Sequence, residues 1–327
     1  MSATARAVAR AHLETWRPYT LAYPGLVGLA GVAADPGGHT SAGAAAAWLC
    51  CTLGWLGGHY LGDYFDRDLD AVSKPQRPIP SGRLGARTAR ACGLAAVLLA
   101  AGVTLAVRWP VVVGVALALA GVVAYSRLLK GRGVLGNAVR GLLTALAVLF
   151  GAAVSAPNGG VSWTGVLPAA LAFLLHDTAS NLVGTLRDVD GDRAGGYRTL
   201  PVARGTRTGA RVAALLYTAA LATALVHTAL STHSTAAVAL CTAAAGAGGW
   251  ALVPLLRSPS PGSRLALRSH EVLVAERLVL AAAVLAGGWG ATAALGLLLP
   301  ALALSILTQR HMRARHEFPP APTAGDR

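Results

Sequence analysis

Lysine is almost absent from this chain of 327 residues: of 28 basic residues only Lys74 and Lys130 are lysine. With Ala and Gly abundant, that bias looks like a GC-rich genome, so arginine frequency by itself is weak functional evidence. Cysteine is scarce too. Cys50, Cys51, Cys92 and Cys241 all lie in apolar segments without metal-type spacing, which argues against a disulfide framework or a thiolate metal site and leaves small core residues. Charged residues make up only 13% of the chain, with 14 Asp and Glu against 28 Lys and Arg and a formal net charge of +14. In a soluble protein that excess suggests nucleic acid. Here 54% of residues are hydrophobic and the mean hydropathy is +0.54, so it reads instead as cationic loops on one side of a membrane, with no nucleic-acid partner.

Apolar runs recur at about the length that spans a bilayer, over residues 16–34, 42–66, 86–107, 109–126, 134–155, 163–188, 208–230 and 235–256. A longer one follows at 272–308, with Gly287-Gly288-Trp289-Gly290 in its middle, so the last helix is read as broken or doubled. The expected fold class is all-α, a multi-pass transmembrane bundle of about nine helices. Glu14, Arg17 and Pro18 punctuate the first run and no small-residue cleavage site follows it, so it reads as a retained helix rather than a secretory signal. Connections near 67–90, 127–132, 187–211 and 257–268 are rich in Arg, whereas those near 35–41, 156–162 and 231–234 have none. The bundle is thereby oriented in a cell membrane with the Arg-rich ends in the cytoplasm. Arg310, Arg313 and Arg315 also favour the cytoplasm, which requires an even number of spans. The domain reading is a cytoplasmic segment 1–15, one transmembrane domain 16–309 and a tail 310–327 expected to be disordered, because Pro residues and no periodic apolar face follow His316.

Seven of the 14 acidic residues sit in 63–70 and 188–192, concentrated rather than spread as solubilising decoration. Residues 62–82 carry the first cluster: G-D-Y-F-D-R-D-L-D, then K-P-Q-R-P-I-P-S-G. Read as a helix end, Asp63, Asp66 and Asp70 fall within a sector of roughly 60°, and Asp68 points away. Like charges that close raise one another's pKa unless cations neutralise them, and several oxygen ligands on one face suit Mg²⁺, which shares substrate phosphates. Lys74 and Arg77 follow as phosphate partners. The bland alternative is a solvated helix end with a polar loop.

Residues 176–192 repeat the logic. On a continuous helix Asp177, Asn181, Asp188 and Asp192 line one face within roughly 60° and Asp190 points away. Carboxylates at membrane helix ends are costly enough to indicate function by default. Asp177, deeper in the helix, is either an inner partner of the metal ligands or a buried residue bonded to a neighbouring helix.

Together, G-D-Y-F-D-R-D-L-D…K-P-Q-R-P-I-P-S-G and R-D-V-D-G-D-R-A-G-G-Y-R-T-L-P-V resemble the UbiA superfamily of intramembrane prenyltransferases. Tyr125-Ser126-Arg127-Leu128-Leu129-Lys130 with Gly136-Asn137 resembles its third marker. The resemblance implies a nine-helix bundle in which two aspartate-rich motifs bind Mg²⁺ and an isoprenyl diphosphate. The family's N-x-x-x-D-x-x-x-D falls on Gly62, Asp66 and Asp70, and its D-x-x-x-D on Asp188 and Asp192. Gly62 lacks the asparagine oxygen, and the adjacent Asp63 is the expected compensating ligand. Tyr125 and Asn181 join the catalytic and substrate-binding sets because they belong to these motifs.

Ionisation of an allylic diphosphate needs its leaving group stabilised. Mg²⁺ held by Asp66, Asp70, Asp188 and Asp192, with Lys74, Arg77, Lys130 and Arg193 around it, does this electrostatically. The allylic cation then needs a dry apolar chamber, which Ala, Leu, Val and Gly helices provide. The acceptor is an aromatic, quinone-precursor or lipid molecule. Arg17 either reaches into the cavity to bind an anionic acceptor or anchors the interface beside Trp16 and Tyr19. His59 and His176 are proton acceptors or, more blandly, packing histidines. Two rival functions use the same residues: a terpene cyclase that needs no acceptor, and a cation-coupled transporter. A transporter places its site near the bilayer midplane at broken helices, whereas these clusters sit at helix ends.

Overall fold

A computed structural model describes residues 3–157, 160–231 and 234–318, almost entirely helical. After α1 (Ala3–Trp16) the chain runs back and forth through α2 (Pro18–Ala34), α3 (Ser41–Ser73), α4 (Ala86–Arg108), α5 (Val112–Ala124), α6 (Leu135–Ser155) and α7 (Trp163–Arg187). Two short helices, α8 (Val189–Ala194) and α9 (Leu200–Arg204), lead into α10 (Thr206–Ser231), α11 (Thr235–Arg257) and α12 (Ser263–Glu317). Local chemistry sets several starts. Thr40 caps α3 by accepting from Gly43 N at 3.1 Å, and Pro18 begins α2, where its missing N–H costs nothing. A two-residue parallel pairing, Arg132–Gly133 with Arg198–Thr199, ties the α5–α6 connection to the α8–α9 connection.

The long apolar stretch is the doubled case. Gly290 has φ 83° and ψ 169°, a conformation closed to most side chains, and α12 reverses there. Gln309 Nε2 consequently donates to Glu271 O at 3.4 Å, although an unbroken helix would hold residues 38 apart at about 57 Å. Counting both arms of this hairpin with α2 to α7, α10 and α11, ten helical runs among the described residues connect the two ends of the bundle. That even number returns Arg310, Arg313 and Arg315 to the end where α1 lies. The tail expectation is corrected for its first part: α12 is helical to Glu317, and Arg313, His316 and Glu317 are buried. Their buried face is charged, which is why no apolar periodicity announced it. Residues 319–327 lie outside the described residues.

Six stretches among the described residues are long and apolar enough to cross a membrane, and large apolar side chains such as Leu98, Trp109, Leu215 and Trp250 face outward. The chain is a multi-pass membrane protein. Inside the bundle, small residues bring backbones together. A Cβ on Gly31 of α2 would run into the Val148 carbonyl of α6, and one on Gly151 into the Gly28 carbonyl. Gly31→Leu is therefore expected to destabilise by about 1–3 kcal/mol, read as a lower melting temperature in detergent. Gly62→Ala, with no atom within 4 Å of its added Cβ, should leave that temperature unchanged.

Candidate active site

At the α1 end, α3, α5, α6, α7 and both arms of α12 enclose a cavity of about 400 Å³. Asp63, Asp66 and Asp70 of α3 all line it, while Asp68 turns outward with its side chain 85% exposed. These three thus share the cavity face of α3, and Asp68 does not. Across the cavity α7 stops at Arg187, Asp188 takes a non-helical ψ of 7°, and α8 restarts at once. That small break keeps Asp177, Asn181, Asp188 and Asp192 on the cavity wall. Asp190 stays at the outer rim, its side chain 85% exposed and paired with Arg193 at 3.3 Å.

A π-helical turn, Tyr125–Leu129, ends α5 and delivers Tyr125 and Lys130 to the cavity. Such turns are uncommon and concentrate at functional sites. Lys130 Nζ reaches Asp66 Oδ2 at 2.6 Å, and Asn137 Nδ2 holds the Asn181 amide oxygen at 2.9 Å. From the loop after α3, Lys74 Nζ crosses to Asp188 Oδ1 at 3.0 Å, so one side chain spans the gap between the two clusters. Arg77 takes Asp70 at 2.9 Å.

Electrostatics separate the two aspartates of the second motif. Burial acts to raise the Asp188 carboxyl, but Arg187 and Lys74 outweigh it and hold the group well below the usual range. For Asp192, burial and the Asp188 charge push the carboxyl up to about 6 against the pull of Lys130 and Lys74. Lys130 and Arg77 are each opposed by burial, yet Asp66 in the first case and Asp70 with Glu317 in the second raise them above their ordinary values.

Several expectations change. Arg193 is not brought in: its side chain is 62% exposed, and it does not line the cavity. Arg187, one residue before the motif, takes that position, bonding Asp188 at 2.6 Å and Glu317 at 2.9 Å. Arg17 is no interfacial anchor. It lines the cavity from a left-handed turn at φ 49°, with NH2 on Asp63 Oδ1 and Nε 3.2 Å from His316 Nε2. His59 lines the cavity with Nδ1 bonded to the Trp16 carbonyl at 3.1 Å, whereas His176 is buried on Glu276 at 2.6 Å and does not line it. Asp177 is the buried, neighbour-bonded case, held by Tyr23 at 3.0 Å and by the Thr144 hydroxyl. Glu317 was missed altogether. Its carboxylate bonds Lys74 at 2.9 Å, Arg187 at 2.9 Å and Arg77 at 3.3 Å.

A smaller apolar chamber of about 100 Å³ adjoins the polar cavity, and Trp55, Gly58, Val122 and Arg140 line both. Its far wall is Val97, Ala100, Leu119 and Phe150. The site thus joins a charged mouth to a hydrocarbon-lined interior.

Residues 21–273 match the UbiA prenyltransferase family. A digeranylgeranylglyceryl phosphate synthase from Methanopyrus kandleri is 35% identical over 204 residues, 62% of this chain and 73% of that protein. The corresponding synthase from Natronomonas pharaonis is 39% identical over 157 residues, covering 48% of this chain but only 55% of the relative's length. A UbiA homologue from Archaeoglobus fulgidus, solved with DMAPP and Mg²⁺, superposes with a TM-score of 0.64 at 15% identity, over 84% of this chain and 99% of that one. A solved digeranylgeranylglyceryl phosphate synthase gives 0.64 at 20% identity, over 86% and 98%. At those identities the two structures speak for the fold.

Proposed function

Because the chain belongs to the UbiA prenyltransferase family, we propose that it transfers an isoprenyl group from an allylic isoprenyl diphosphate to the hydroxyl of a lipid acceptor within the membrane. The observation that carries this reading is the junction of two carboxylate clusters and a lysine–arginine set with an apolar chamber. The lipid acceptor is favoured over an aromatic one by the synthases above, whose product is a glyceryl phosphate bearing two geranylgeranyl groups. In the reaction the C1–O bond to diphosphate breaks, C1 bonds the acceptor oxygen, and the hydroxyl proton and the diphosphate leave.

Mg²⁺ fits the donor chemistry of the mouth. Asp66, Asp70, Asp188 and Asp192 offer oxygens only, and Asp63 Oδ2 is buried without a hydrogen-bond partner among the described residues. No three His, Cys, Asp or Glu side chains among the described residues converge closely enough for a metal, and Asp66, Asp70 and Asp188 are bonded to Lys130, Arg77 and Lys74. When bound there, the metal supplies charge to offset that developing on the departing diphosphate. Lys74, Arg77 and Lys130 would bind the phosphate oxygens, with Tyr125 and Asn181 lining the cavity beside them. Trp55 and Tyr125 line the cavity, and the Arg140 guanidinium stacks on both rings. The chamber walls exclude water, which would otherwise capture the allylic cation.

The Arg-rich connections at the mouth support a cytoplasmic orientation of the site in a cell membrane. Transport finds little support, since the hairpin break at Gly290 lies away from the cavity. Incubating the purified enzyme with Mg²⁺ and allylic diphosphates of several lengths, with and without an isoprenyl glyceryl phosphate, tests the reading. The expected product is an ether formed only when acceptor is present. A cyclised hydrocarbon formed without acceptor would instead mark a cyclase.

A further inference from the structure

The apolar chamber has a depth that helix geometry fixes and a floor that one side chain fills. Asp66 stands at the mouth, and Cys50, sixteen residues away on α3, lines the far end of the chamber, about 24 Å along the helix. On α6 Arg140 lines both mouth and chamber, and Phe150 lies ten residues deeper, about 15 Å. Contacts between helices bring these far ends to one level. Cys51 Sγ donates to Ala147 O of α6 at 3.9 Å, and Cys50 Sγ to Ala100 O of α4 at 3.4 Å. A Cβ built on Gly114 of α5 would lie 3.1 Å from Phe150 Cδ2.

Beyond that level the bundle is shut. Ala46 and Ala47 of α3 and Thr104 of α4 are buried, and Thr104 Oγ1 closes on Cys50 Sγ at 3.5 Å. Gly43 lies so near α6 that an added Cβ would run into Ser155. At the floor itself Cys50, Ala100 and Gly114 are small, and the Phe150 ring fills the cross-section they leave. Gly114 admits the ring, because any side chain there would meet it. Phe150 is 6% exposed and lines the chamber, so the uncovered part of the ring faces inward.

We infer that Phe150 sets the greatest chain length of the isoprenyl donor, as the stop against which its tail ends. The inference rests on the prenyl-transfer reading above. Each isoprene unit adds four chain bonds of about 1.5 Å and extends about 5 Å when staggered. The distance from mouth to ring, about 15 to 24 Å of helix less the span of the diphosphate, holds roughly three or four units. Every unit up to the stop buries more apolar surface and tightens binding. The next must push the ring off Gly114 or lift C1 away from the two carboxylate clusters. A packed floor yields poorly to the first, and the second withdraws the reacting carbon from its catalytic groups.

Steady-state kinetics of the full-length enzyme in detergent test the assignment, with donors of two to six isoprene units. The acceptor is a saturating isoprenyl glyceryl phosphate or, if that is not converted, a hydroxybenzoate. Wild-type kcat/KM should climb with each unit to a maximum at about four and fall at least tenfold beyond it. Phe150→Ala should move the fall outward by at least one unit. Phe150→Leu, which removes less and serves if the alanine variant does not fold, should move it in the same direction. Ala118→Phe adds a ring to the chamber wall one helical turn nearer the mouth than Gly114 and should move the fall inward, so that the two-unit donor overtakes the four-unit one. Inhibition by inorganic diphosphate, which has no tail, should stay within about twofold of the wild type in all three variants. A flat profile through six units, as for a tail that runs sideways into the bilayer, overturns the assignment while leaving prenyl transfer intact. So does a fall that stays put in both Phe150 variants, or a matching change in diphosphate inhibition, which would place the effect at the mouth. Failure of the wild type to convert any donor with either acceptor would sink the prenyl-transfer reading itself.

Discussion

Asp66→Ala and Asp192→Ala are each expected to lower turnover by roughly a hundredfold or more, the scale of losing one preorganised electrostatic group. The fold should survive both. Asp66 is bonded to Lys130, and the two side chains are 16% and 19% exposed, so the released ammonium can turn to water rather than stay stranded. Among the side chains of the described residues Asp192 bonds only the Thr199 hydroxyl, at 3.3 Å. Asp68→Ala and Asp190→Ala provide the contrast, because side chains 85% exposed, the first turned outward and the second at the cavity's outer rim, have little field to contribute where charge develops. Their turnover should stay within about threefold of the wild type. Steady-state rates, with size-exclusion profiles to show intact protein, decide the matter. Similar losses at all four positions would mean that the acidic stretches act as a diffuse surface charge and not as two directed faces.

That contrast is legible from spacing alone, since a helical period sorts Asp63, Asp66 and Asp70 from Asp68. The spans, the doubled last helix and the Lys74 and Arg77 loop were legible for similar reasons: length, a glycine-rich midpoint and local order. Other features required tertiary packing. Arg193 and Arg187 stand close to the same motif, and only the break after Arg187 decides which one enters the cavity. Glu317 comes from the far end of the chain, through a hairpin whose buried face is polar, so neither periodicity nor a motif pointed to it. Arg277 carries a signal of its own in the sequence. With Glu276 it interrupts an apolar run, and ionisable residues inside a membrane helix are functional or paired as a rule. Here Glu276 is the structural member, on His176, and Arg277 the one that faces the cavity.

Asp63→Ala is expected to cost both stability and activity, and Asp63→Asn activity alone. The sequence assigned Asp63 to stand in for an oxygen that Gly62 lacks, and the carboxylate divides in a way that accommodates this. Oδ1 holds Arg17, while Oδ2 is buried with no hydrogen-bond partner, an arrangement that costs about 1–3 kcal/mol unless a cation or donor completes it. Removing the side chain strands Arg17 in the cavity wall, at a cost on the order of 3 kcal/mol, and should show as a lower melting temperature. Asparagine keeps an acceptor for Arg17 and removes only the charge. Asp63→Asn should therefore melt near the wild type yet lose at least tenfold in turnover and most of the thermal stabilisation conferred by added Mg²⁺. Gly62→Asn should be tolerated, because none of the described residues lies within 4 Å of a Cβ built at Gly62. Combined with Asp63→Asn it should restore part of the Mg²⁺-dependent stabilisation, an oxygen regained at the position the family motif uses. The opposite pattern, with Gly62→Asn abolishing donor binding and Asp63→Asn silent in both melting and turnover, would mean that the glycine keeps a path open for the isoprenyl chain and that Asp63 serves only to position Arg17.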